Sequence, residues 1–72
     1  MTPAQSRMAR AALQWSLHDL AAAASVSRIS CARFEGGDSV GTKTVEAMRD
    51  ALEQAGADFT AEKGRVGVTV PE

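Results

Sequence analysis

The sequence predicts a mainly α domain: four short helices followed by a C-terminal β-hairpin or strand. Three observations predict it. Small and apolar residues recur at helical spacing in four blocks, each opened by a Ser, Thr or Pro start signal. Glycines stand where the third and fourth blocks run out, at Gly36-Gly37 and at Gly56. Beyond Gly56 the period becomes two, in Val66-Gly67-Val68-Thr69-Val70.

Each element follows from local chemistry. Thr2 caps a first helix whose opening position suits Pro3, and the helix is expected from about Pro3 to Gln14 with Met8, Ala12 and Leu13 inward. Ser16 caps a second helix over Leu17 to Ala24, with Asp19 in the first turn where the helix dipole favours a negative charge. Ser25-Val26-Ser27 is long enough only for a tight turn, and Ser27 caps a third helix from Arg28 to about Glu35. Thr42 is expected to cap a fourth helix from Lys43 to Ala55, although Glu46 lies one residue too far for a capping box. Val45, Met48 and Leu52 form its apolar stripe, read as core and not as a cofactor box. Ala57–Ala61 and Val66–Val70 then read as strands around the turn Glu62-Lys63-Gly64-Arg65.

Composition narrows the function classes. Seventy-two residues allow one small domain, and a lone Cys31 and a lone His18 argue against an internal disulfide and a zinc site. The N-terminus lacks the succession of a signal peptide and Ala21–Ala24 is too short to span a bilayer, so a cytoplasmic protein without membrane contact is expected. No cofactor is expected, nor is enzymatic activity, since no nucleophile–base set, paired catalytic carboxylates or phosphate loop is evident. The net charge of −1 hides a gradient. Up to Lys43 there are five basic residues (Arg7, Arg10, Arg28, Arg33, Lys43) against Asp19, Glu35 and Asp38; from Thr44 onward six acidic residues face Arg49, Lys63 and Arg65. The N-terminal part suits an anionic partner and the remainder faces away from it.

The informative stretch is Ser16 to Gly37. Two short helices joined by a turn of about three residues form the helix-turn-helix arrangement, which presents its second helix to a major groove. Ala21 permits close approach of the two helices and Val26 plugs the turn. Projected at about 100° per residue, the third helix turns Cys31 inward with Phe34 and Glu35 flanking it. Ile29, Ala32, Arg33 and Gly36 then lie outward, with Arg28 at the margin and no acid among them. Arginine suits guanine edges or phosphates, isoleucine a thymine methyl, and the small residues allow close approach. The plainer readings are a solvated face for Arg28 and Arg33, core for Cys31 and Trp15, and simple exposure for His18.

These residues resemble the Xre, or lambda-repressor-like, helix-turn-helix family, through Ser16, Leu20, Ala21, Val26, Ser27, Glu35 and Gly37. The likeness runs from about Ala4 to Leu52, and Thr2-Pro3-Ala4-Gln5 through Arg10 with Trp15-Ser16 resemble a bacterial subgroup of small stand-alone regulators. It implies a four-helix DNA-binding fold and an ion pair between Arg10 and Glu35. Base reading is expected from Arg28, Ile29, Ala32 and Arg33, and phosphate contact around Leu17, His18, Ser27, Ser30, Gly37 and Lys43. Three positions depart from the pattern. Leu17 replaces a glutamine that contacts phosphate, Ser25 replaces the turn glycine, and Cys31 replaces a larger aliphatic core residue.

The sequence therefore predicts a transcriptional regulator binding double-stranded DNA, with residues 1–56 as the DNA-binding domain and 57–72 as a dimerising hairpin. A homodimer on a pseudo-palindromic operator is expected because one such unit reads only a short half-site. Val66, Val68 and Val70 are expected to lack a core within the monomer. The alternative is a protein-interaction module, such as an antitoxin or co-regulator, working through a partner protein.

Overall fold

A computed structural model describes all residues, Met1–Glu72. Four helices, α1 (Pro3–Leu13), α2 (Leu17–Ala24), α3 (Arg28–Glu35) and α4 (Thr42–Gln54), precede an antiparallel hairpin of β1 (Asp58–Glu62) and β2 (Arg65–Thr69). The molecule measures 30 × 26 × 17 Å, and no helix is long and apolar enough to cross a membrane.

Side chains close three of the four helix starts. The Thr2 hydroxyl accepts from the Gln5 amide at 3.1 Å and Gln5 Oε1 accepts from the Thr2 amide at 2.9 Å, a reciprocal box that satisfies two otherwise orphaned donors. Ser16 and Asp19 repeat the box on α2, and Ser27 accepts from the Ser30 amide on α3. The expected Thr42 cap is displaced. Gly41 is the N-cap, without a side-chain bond, and Thr42 is already helical. Val40 packs against the core, which sets the course of the chain one residue ahead of Thr42.

All four helices stop in the same way. A left-handed residue, directly after α1 and α2 and one position later after α3 and α4, turns the chain, and the next amide bonds to the carbonyl five residues upstream: Trp15 to Arg10, Val26 to Ala21, Asp38 to Arg33 and Ala57 to Leu52. Gly37 (φ +94°) and Gly56 (φ +108°) adopt the left-handed conformation without a Cβ penalty, whereas Gln14 (φ 59°) and Ser25 (φ 57°) adopt it despite one. These stops end α1 and α4 one residue earlier than expected, before Gln14 and Ala55. They also draw Ala57 into the core instead of a strand.

Ala9, Leu20, Ala21, Cys31, Phe34, Met48, Ala51, Leu52 and Ala57 form the buried core. Leu17, Trp15, Val26 and Val45 pack at its margin. The inner face of α1 differs from the expectation of Met8, Ala12 and Leu13. Met8 is 37% exposed, Ala12 is exposed and Leu13 only half-buried, whereas Gln5, Ser6 and Ala9 are buried. The face is polar because α1 docks on main-chain carbonyls and a carboxylate. Gln5 Nε2 donates to the carbonyls of Thr60 and Gly67 at 2.9 and 3.1 Å, clamping both strands at directly facing positions.

The strands run from Asp58 and Arg65, with Lys63 (φ 52°) and Gly64 (φ +73°) between them. Two successive positive φ angles define the turn whose twist matches a hairpin. Phe59, Val68 and Val70 pack against the core, so the expected absence of core for Val68 and Val70 is corrected. Only Val66, 41% exposed, overhangs it.

Candidate nucleic-acid interface

α3 is held from behind. Cys31, Phe34 and Glu35 face inward, and Arg28, Ile29, Ala32, Arg33 and Gly36 are exposed, as the helical projection predicts. Burial pushes the Cys31 thiol up from its ordinary range, with the Glu35 carboxylate adding to the effect, so the thiol is an inert packing group.

Glu35 anchors the helix to α1. Arg10 donates through Nε to Oε1 and Oε2 at 3.1 and 2.8 Å and through Nη2 to Oε1 at 2.7 Å, and Ser6 Oγ donates to Oε2 at 2.6 Å. The Glu35 side chain is 5% exposed and that of Arg10 20%. The remaining Arg10 group, Nη1, donates to the Trp15 carbonyl at 3.0 Å, and Arg7 Nη1 donates to the Glu35 carbonyl. Hydrogen bonding to Glu35 holds the Arg10 guanidinium above its already high ordinary pKa. No buried side-chain polar atom is left without a partner. The ion pair was legible in the resemblance; the contributions of Ser6 and Arg7 were not, because serine and arginine at those positions read equally well as surface.

The outward face is a row of donors and one aliphatic group. Ile29 is 67% exposed, the highest exposure among the large apolar residues that reach the surface, with Arg28 beside it and Arg33 one turn further on. Arg33 is not free: its Nε lies 3.7 Å from Asp38 Oδ2, with both side chains exposed. An acid therefore borders a face expected to carry none. Asp38 was missed because its position depends on the turn made by Gly36-Gly37, not on the helical projection.

The expected phosphate contacts divide. Ser27, Ser30, His18 and Lys43 are exposed or half-buried at the starts of α2, α3 and α4. The Ser27 hydroxyl accepts from the Ser30 amide at 3.0 Å and donates to Ser30 Oγ at 2.9 Å, so both hydroxyls are oriented before any partner arrives. Leu17 packs its side chain against the core and offers only its amide. The Gly37 amide donates to the Phe34 carbonyl at 3.0 Å and is committed to ending the helix, not to a partner.

No family model matches the chain, and no curated protein matches it. The chemistry of the α3 face thus rests on its own geometry: two guanidinium groups, two oriented hydroxyls and an aliphatic side chain on a rigid helix, a set suited to an anionic surface rich in acceptors.

Proposed function

We propose that this chain is a helix-turn-helix regulator of transcription with the lambda-repressor-like arrangement, binding double-stranded DNA through α3. The observation that carries the reading is Ile29, two-thirds exposed on the outer face of a buried-backed helix between Arg28 and Arg33. A single exposed isoleucine is ordinary on a protein surface, but set between two arginines on an outward helix face it suits a thymine methyl in a major groove. A helix about 10–12 Å across with its side chains fits a major groove about 12 Å wide. Arg28, Ile29, Ala32 and Arg33 read base edges in this proposal, and Ser27, Ser30, His18 and Lys43 position the phosphates. One unit meets only a few base pairs, so the functional species is a two-fold dimer on a pseudo-palindrome.

A second reading, an interaction module that binds a protein partner through the same face, is favoured by Leu17 and Asp38. The first withholds a side-chain phosphate contact and the second places a carboxylate beside Arg33. Selection of duplexes bound by the intact chain from random sequence, followed by titration at several salt concentrations, tests the choice. DNA binding requires a preferred site and a steep loss of affinity with salt.

A further inference from the structure

The hairpin is a two-stranded sheet, so both of its outer edges lack a neighbouring strand. Its two-residue turn makes Glu62 and Arg65 a hydrogen-bonded pair, and counting in twos makes Thr60–Gly67 and Asp58–Thr69 inward-bonded as well. The main-chain groups of Phe59 and Ala61 therefore point outward from β1, and those of Val66 and Val68 outward from β2. Gln5 bonds to the carbonyls of Thr60 and Gly67, which belong to an inward pair, and leaves the outward groups free.

We propose that two copies of this chain pair through β2, antiparallel about Gly67, forming one four-stranded sheet. The proposal rests on the two-fold dimer of the function argued above and names its interface. With each strand paired along its whole length about its central residue, charge favours the β2 edge. Pairing β1 with itself about Thr60 sets Asp58 opposite the second copy's Glu62 twice over, and like charges directly opposed are destabilising. Pairing β2 with itself sets Arg65 opposite Thr69 and Val66 opposite Val68, with no like charges facing. The axis falls on Gly67, in a close non-hydrogen-bonded position where two strands approach to about 4.5 Å and no side chain intervenes. Pairing β1 with β2 of another copy leaves an open edge on each side and propagates without closing. Val66 and Met8, 41% and 37% exposed, lie on β2 and on α1, which packs against it, and Val66 is the group such an interface covers.

The test uses the intact chain without DNA. Arg65→Cys and Thr69→Cys are combined in one variant. Within one strand these positions are about 13 Å apart, too far for a disulfide, whereas across the proposed interface they face each other. Mild oxidation is expected to give a covalent dimer of the double variant and not of either single variant. Sedimentation is expected to show a dimer for the wild-type chain and for Asp58→Lys, and a monomer for Val66→Lys with unchanged circular dichroism. A wild-type monomer, a double variant that does not cross-link, or cross-linking of a chain carrying Asp58→Cys and Glu62→Cys instead overturns the proposal. A chain that cross-links as expected yet binds no duplex overturns the DNA reading and leaves this interface standing.

Discussion

Arg10 and Glu35 meet as a two-pronged ion pair, Nε to Oε2 at 2.8 Å and Nη2 to Oε1 at 2.7 Å, that joins α1 to the end of α3. Because the Glu35 side chain is almost fully covered, its charge depends on that partner. Arg10→Met strands it with Ser6 alone and is expected to cost about 3–5 kcal/mol. In a domain of this size that approaches the whole stability, itself about 5 kcal/mol at the low end. Thermal unfolding followed by circular dichroism measures it. The double variant Arg10→Met, Glu35→Leu should recover much of the loss, since removing both charges removes the desolvation problem. A melting temperature unmoved by Arg10→Met refutes the coupling.

Ser25 holds a left-handed conformation with an ordinary side chain, at φ 57°. Ser25→Gly removes that penalty and should stabilise the chain by about 1 kcal/mol. Gly56→Ala should do the reverse. It adds strain at φ +108° and places a Cβ 2.8 Å from Pro71 Cγ and Cδ. Denaturant midpoints of the two variants should move in opposite directions; movement in the same direction contradicts the argument.

Gln5 serves the start of α1 and both strands at once. Gln5→Ala removes the two donors to Thr60 and Gly67 and the acceptor for Thr2. Amide hydrogen exchange should speed up in the hairpin and at the first turn of α1 while α2, α3 and the α2–α3 turn stay protected. Uniform acceleration everywhere indicates instead that the hairpin is integral to the cooperative unit.

The Asp19 carboxylate sits below its ordinary range, chiefly through the hydrogen bond from the Ser16 amide and then through the Ser16 hydroxyl. A depressed folded pKa contributes stability that is present above the unfolded pKa of about 4 and disappears as pH falls through the folded value. The melting temperature of Asp19→Asn should therefore lie below wild type at pH 7, with the two converging as the solution is acidified below about pH 4. A gap independent of pH refutes the assignment.

On the proposed DNA face, Arg28→Ala should cost about 1–3 kcal/mol on the preferred site and relax preference at one or two base pairs. Lys43→Ala should weaken all sequences alike and make the salt slope shallower by about one. Asp38→Asn frees Arg33 from its 3.7 Å partner and removes a charge facing the duplex, so binding to any sequence should tighten. Titrations against single-base site variants distinguish these patterns. If neither Arg28→Ala nor Ile29→Ala changes affinity or preference, α3 does not read bases.

Local chemistry determined much of this protein. Ser16 and Ser27 mark two helix starts because their hydroxyls accept amides three residues away, and Gly36-Gly37 and Gly56 mark helix ends because the chain must turn left-handed there. The outward set of α3 was legible for the same reason: a helix of known period shows its faces in the sequence, and an inward Cys31 leaves Ile29 and Arg33 outside. The rest needed contacts between distant segments. Gln5 and Ser6 look like surface residues until Thr60, Gly67 and Glu35 are brought to them, 29 to 62 positions along the chain. Thr42 failed as a cap because Val40 had already been drawn into the core, and Arg33 acquired Asp38 because a glycine turn folded the loop back. Periodicity and capping act over one or two turns of chain and can be read in order. Polar burial is decided by which partners the packed core brings within about 3 Å, and no local pattern carries that information.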